Sequence, residues 1–325
     1  MTDERRDLLA QIAVWYYEER LDQAEIARRV GRSRSMISRM LNEVREQGLI
    51  EIRVKYPQRR NTQLERVLVE RFGLKAAWVV SRPESWKGEM QMRILGRAAA
   101  DCLQRFIHDD VRIGVAWSRT LHYMVGEIAE QPVQGAQVIQ ISGSVFSDNP
   151  VFDGPELVRT LAQRLHGEHR YFPAPLVVRD AGLQQSLMQE RTIAETLQLA
   201  ASCDVAVLGI GNIESEYSSL HGSGLVDART YDELVDRQVA GDIIARQFDA
   251  DGVLLDVGFN DRVVGLEPAA LRAIPTVIAV SSGPGKARST LAAMRGRWFN
   301  VLVSDEQTVT ELLALAGDST QREAG

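Results

Sequence analysis

Two stretches of this sequence carry side chains suited to polyanions or small anions, and they lie far apart. Ser33, Arg34, Ser35, Ser38, Arg39 and Asn42 are spaced to fall on or beside one face of a helix. Arginine can bond two acceptors on a guanine edge, asparagine matches adenine, and serine reaches a phosphate or either base edge. That face carries no acid to repel phosphates. The second stretch is Ser118, Arg119 and Thr120, directly after the apolar run RIGVAW. Two hydroxyls, a guanidinium and the open amides of a starting helix suit an anion such as a phosphate. By residue type alone, a serine cap beside an exposed arginine fits equally well. Ser142-Gly143-Ser144 ends another apolar run and by itself reads as a turn. The segment 281–286, SSGPGK, has the composition of a phosphate loop but not the GxxxxGK[ST] spacing. Its Lys286, near a helix start, could hold an anion.

Other chemistries find little support. Gly209-Ile210-Gly211 follows a strand but has no third glycine, which argues against a dinucleotide fingerprint. His166 and His169 have no further Cys or His nearby, so no metal is expected. No catalytic set is visible from spacing, and no cofactor is implied. Cys102 and Cys203 are the only cysteines and sit in no CxxC pattern; they read as structural thiols of a reduced, cytoplasmic protein. No apolar run approaches the roughly 18 residues of a membrane span, and the charged start MTDERRDLLA is no secretory signal.

The elements that would position these residues fall into two modules. Residues 1–60 hold 13 Lys+Arg against 10 Asp+Glu, a balance of +3 within a chain of net charge −6, so the remainder carries −9. A basic module on an acidic body suggests different partners for each. In the first module a helix is predicted over 7–19. A second follows, with Asp22 and Glu25 at capping-box spacing and Gly31 as its left-handed stop. Ser33 caps a third helix, whose packing side is Met36, Ile37, Met40, Leu41 and Val44. Two helices joined by so short a turn form a helix-turn-helix, whose second helix enters the major groove. Residues 49–55 read as a short strand, a small wing, and Pro57 closes the module.

Beyond a helical linker at 62–72, short apolar runs alternate with helical segments. Strands are predicted at 77–80, 111–117, 138–141, 205–208, 253–257, 276–280 and 299–303, and helices at 90–106, 121–130, 156–165, 186–200 and 287–295. Such alternation implies a doubly wound, mostly parallel sheet covered on both faces. Ligands bind such sheets beyond the carboxyl ends of the strands. The domains are thus 1–56, helix-turn-helix, and 57–325, α/β.

Taken in order, several segments resemble the SorC/DeoR-type family of sugar-responsive transcriptional regulators. They are AEIARRVGRSRSMISRMLNEVREQGLIEI, RIGVAWSRTL, YFPAPLV, VLGIGN, VAGDIIARQFDADG and GPGKARSTLAAMRGRWFNVLVSDE, spanning nearly the whole chain. The resemblance implies an effector domain related to phosphosugar isomerases that binds a phosphorylated sugar or polyol-like metabolite. It also implies a homo-oligomer, dimer or tetramer, on double-stranded operator DNA. It assigns Ser118, Arg119 and Thr120 to a phosphate-holding turn, and Gly143 and Ser144 to a loop beside it. Asp242 falls where the family uses an acid towards sugar hydroxyls, and Lys286 where it uses a lysine towards the effector. Ser281 and Ser282 replace the usual Gly-rich sequence and Ser142 the usual glycine; their side chains would narrow the pocket or bring hydroxyls to it. The leading expectation is a ligand-controlled regulator. The alternative is a phosphosugar isomerase-like enzyme carrying a DNA reader, with Asp242 and Lys286 as acid and base; a constitutive DNA-binding scaffold is the third.

Overall fold

A computed structural model describes residues 3–50, 58–81, 83, 88–145, 153–214 and 218–323. The chain divides into two compact units, Met1–Pro57 and Gln58–Gly325.

The smaller unit is built of three helices. The first, Asp3–Ala13, runs on into a π-helical turn, Val14–Glu18. The second, Gln23–Val30, starts at Asp22, whose carboxylate accepts from the Glu25 amide at 2.8 Å, and stops at Gly31 with φ +66°. Only the Asp22 half of the capping box is present, because the Glu25 carboxylate lies 3.6 Å from Arg29. The third, Arg34–Glu46, starts at Ser33, whose hydroxyl accepts from the Met36 amide at 3.2 Å. Leu9, Ile12, Ile26, Ile37 and Val44 are fully buried between the helices. Met36 corrects the predicted packing side: it is 39% exposed. It sits in the first turn of the helix, at the margin of the apolar arc. The predicted wing at 49–55 lies, beyond Ile50, outside the described residues, as does Pro57.

The larger unit is an α/β sandwich. Its described strands are β1 (Arg59–Arg60), β2 (Ala76–Ser81), β3 (Arg112–Val115), β4 (Gln137–Gln140), β5 (Glu168–Arg170), β6 (Val205–Gly211), β7 (Gly241–Ile243), β8 (Arg246–Phe248), β9 (Thr276–Val280) and β10 (Val301–Asp305). The sheet runs β1-β2-β10-β9-β6-β3-β4-β5, and every neighbour from β2 to β5 pairs in parallel. Alternate residues face opposite cores. In β6, Val205 and Val207 join one buried cluster while Ala206 and Leu208 join the other. Burial on both faces explains why these strands are continuous apolar runs in the sequence. From β3 the chain moves outward through β4 and β5; from β6 it moves the opposite way to β9 and β10. The neighbours β3 and β6 therefore flank a topological switch point, where such sheets open a crevice at their carboxyl ends.

The short strands β1 and β5 are unpredicted, and other elements differ from the periodicity. Residues 253–257 form no strand. Pairing stops at one antiparallel bridge, Leu254 with Phe248: the Asp249 carboxylate turns the chain by accepting from the amides of Asp251 and Val253, and the Asn260 side chain donates to the Leu255 carbonyl. The helix predicted at 186–200 is two helices, Ala181–Gln189 and Arg191–Ala201, broken where Glu190 turns extended at ψ 128°. The pair β7–β8 is an unpredicted antiparallel hairpin whose first strand adds to the end of β6.

Candidate functional site

A cavity of about 160 Å³ opens at the switch point, beyond the carboxyl ends of β3, β4, β6 and β9. Each strand end delivers a different chemistry. The β3 end turns into the helix Arg119–Glu127, capped by Ser118, whose hydroxyl accepts from the Thr120 amide at 3.2 Å. Ser118 is thus a cap and a wall residue at once. Arg119, the next residue, is exposed on the cavity wall and makes no hydrogen bond or ion pair among the described residues. Gly209 on β6 leaves room for this turn: a Cβ there would come within 3.2 Å of the Ser118 hydroxyl.

Asp242 arrives on the hairpin. Its strand pairs Gly211 with Asp242, and the carboxylate lies where a side chain on Gly211 would be. The two turn residues, Ile244 and Ala245, both have positive φ, 48° and 63°. A two-residue hairpin turn of this hand normally uses Asn-Gly, and a β-branched residue there is strained. Burial holds it, since both side chains are nearly covered and line the cavity. Lys286 begins the helix Lys286–Arg295 and donates from Nζ to the Ile210 carbonyl at 2.5 Å.

Burial dominates the electrostatics of this pair. It pushes the Asp242 carboxyl up to about 6, against the pull of the Lys286 charge and the Ala245 amide. It pushes Lys286 down to about 8, with Asp242 working against the shift and Arg119 adding to it. Near neutral pH the pocket therefore offers an acceptor and a donor that are both poorly solvated. Such groups gain most from a polar occupant.

Ser118, Arg119, Thr120, Asp242 and Lys286 are brought together on one wall. Gly143 and Ser144 are not on that wall. A Cβ on Gly143 would strike the Pro175 carbonyl, and the Ser144 hydroxyl accepts from Gln140 inside the core. Their loop instead presents Ser142, with its hydroxyl 3.4 Å from the Trp117 amide. Ser281 and Ser282 line the cavity but spend their hydroxyls within the protein: Ser281 on Thr290 at 2.7 Å, Ser282 on Asp305 and Gln91.

In the smaller unit, Arg34, Ser35, Ser38, Arg39 and Asn42 are all exposed on the third helix. Ser33 and Ser35 share a hydrogen bond at 2.9 Å. Arg34 and Arg39 have no ion-pair partner among the described residues, whereas Arg45, further along, donates to the Tyr17 hydroxyl at 3.0 Å.

Comparison with known proteins places this geometry. Residues 56–314 match the Sugar-bind family, described as "Putative sugar-binding domain". The sorbitol operon regulator of Klebsiella pneumoniae is 31% identical over 321 residues, covering 94% of this chain and 97% of that protein. The chain belongs to the SorC/DeoR family of sugar-binding transcriptional regulators. The deoxyribonucleoside regulator of Bacillus subtilis is 28% identical over 96% of this chain and 99% of its own. The crystal structure of full-length SorC from Klebsiella pneumoniae has a TM-score of 0.71 at 30% identity, covering 96% of this chain and all of that one. Ser142 lines the cavity, as its place in the family pattern implied, whereas sequence reasoning overlooked Leu176, Leu220 and the Ile244-Ala245 turn. These gave no signal, because their loops come together only in three dimensions.

Proposed function

We propose that the chain is a cytoplasmic DNA-binding regulator whose operator affinity is set by a small phosphorylated sugar or polyol held at the switch-point cavity. The observation that carries this reading is the meeting of Ser118, Arg119, Thr120, Asp242 and Lys286 on one wall. Arg119 and the start of its helix take the anionic group, while Asp242 and Lys286 take hydroxyls. The larger unit shares its descent with phosphosugar isomerases. The smaller unit is a helix-turn-helix; its third helix enters the major groove, Ser33 capping it, Arg34, Ser35, Ser38, Arg39 and Asn42 facing bases and phosphates. The chain works as a homo-oligomer, dimer or tetramer, on paired half-sites. Effector and DNA are then linked: whichever arrangement of units the effector favours, operator affinity changes by the same factor as effector affinity.

The test is fluorescence anisotropy on an operator selected from random DNA, titrated with pentose, hexose and hexitol phosphates. The reading expects one of these to shift operator affinity, and Arg119→Ala to bind DNA normally without responding. A phosphate that stabilises the protein yet leaves operator affinity unchanged would contradict it. Two shifted groups on one wall also suit acid and base work. Aldose–ketose turnover that Asp242→Asn abolishes would favour that enzymatic reading over ligand sensing.

A further inference from the structure

The cavity lining combines Arg119, beside the hydroxyls of Ser118 and Thr120, with Asp242 and Lys286. On Lys286 the carboxylates of Asp242 and Glu214 favour the charged form and the Arg119 charge opposes it. Carboxylates accept hydrogen bonds from hydroxyls.

The helix Lys286–Arg295 starts at this cavity. Its cap position is Gly285, with φ +70°, and no side chain caps the first turn. Asn212 lies against Gly285. It follows Gly211, which lines the cavity, just as Gly285 precedes Lys286, which lines it too. A Cβ on Gly285 would come within 2.5 Å of Glu214 Oε2 and 2.8 Å of Asn212 Nδ2, so the glycine leaves both side chains their space. Asn212 is only 4% exposed, yet neither its Oδ1 nor its Nδ2 has a hydrogen-bond partner among the described residues. A buried amide left open at both atoms is costly, and native proteins rarely keep one without a use. Trp117, in the same cavity lining, likewise buries an Nε1–H with no acceptor among the described residues.

We infer that Asn212 and the uncapped Gly285 end of this helix form a hydroxyl-recognition subsite for the sugar or polyol. This rests on the reading of the cavity given above and adds its specificity determinant. A carboxamide both donates and accepts, so one hydroxyl pair satisfies it: one hydroxyl donates to Oδ1 and its neighbour accepts from Nδ2. A phosphate has no comparable donor and satisfies half of it. The subsite therefore discriminates chain length and hydroxyl pattern, while Arg119 contributes to every phosphorylated ligand alike.

Calorimetric titration of the full-length protein and its Asn212→Leu variant tests this. The probes are inorganic phosphate, D-ribose 5-phosphate, D-fructose 6-phosphate and D-glucitol 6-phosphate. Leucine is close in volume and has no polar atoms, so the empty variant melts no lower than wild type. The tightest-binding sugar or polyol phosphate loses at least tenfold in affinity, and inorganic phosphate less than twofold. Unchanged sugar phosphate affinity in the variant overturns the inference. So does an equal loss on all probes, or a fall in the melting temperature of the empty variant, since either marks Asn212 as structural. If wild type itself binds none of the probes, the reading of the cavity fails first and the subsite falls with it, an outcome visible before any variant is made.

Discussion

Replacing Asp242 with asparagine should flatten a pH dependence that the buried carboxylate imposes on stability. In the folded chain burial raises this carboxyl to about 6, whereas an unfolded aspartate titrates near 3.9. Between those values the folded state keeps a proton that the unfolded state has released. Stability is therefore highest below about pH 4, falls as pH rises through the window, and is level above about pH 6. A shift of about two units at ~1.4 kcal/mol each makes the loss about 3 kcal/mol. Asparagine fits the same space beside Gly211 and carries no titrating group. The stability difference, variant minus wild type, should thus grow by about 3 kcal/mol from pH 4 to pH 7. Urea unfolding followed by tryptophan fluorescence measures it, on a Trp15→Phe background, because the other four tryptophans all lie beyond residue 57. A difference that stays constant with pH would refute the burial argument. A difference that shrinks would mean the Lys286 charge outweighs desolvation and lowers the carboxyl instead.

Two further outcomes are expected. Arg39→Ala should weaken operator binding and relax base preference, by about 1–3 kcal/mol for a bidentate contact; competition between operator and random DNA reads it, and equal losses on both would mark a phosphate contact. Gly211→Ala should displace the Asp242 carboxylate, since its Cβ has no space there. Effector binding by calorimetry should fall at least tenfold, or about 1.4 kcal/mol, with DNA affinity of the effector-free protein unchanged.

How much of this was legible in the sequence depends on how local its cause is. The runs at 77–80, 205–208 and 276–280 announced β2, β6 and β9 because strands buried on both faces must be apolar throughout. The stops and caps at Asp22, Gly31 and Ser33 were legible because each is a backbone requirement met by one residue. The hairpin β7–β8 was not, since its turn is Ile244-Ala245, which no turn preference selects, and only surrounding packing imposes positive φ there. The break at Glu190 has no glycine or proline to signal it. In the site, Ser118 and Arg119 were visible as chemistry at a strand end. Asp242 was reached only through family resemblance, because the hairpin that carries it was invisible. Gly143 and Ser144 came, like Ser142, from the family resemblance, and the sequence does not say which residue of the turn faces the crevice; the close approach of Gly143 to Pro175 leaves Ser142 there. Asn212 appeared only as the last residue of the segment VLGIGN, and only its unpaired burial sets it apart.

The central claim is that the occupant of the switch-point cavity and operator DNA act on one another through this chain. It is tested most directly by measuring their coupling in both directions. Operator affinity is determined with and without saturating sugar phosphate, and sugar phosphate affinity with and without saturating operator. The account predicts the same factor both ways, between about 5-fold and 150-fold, abolished by Arg119→Ala. A sugar phosphate that binds the cavity with equal affinity whether or not operator is present would contradict it.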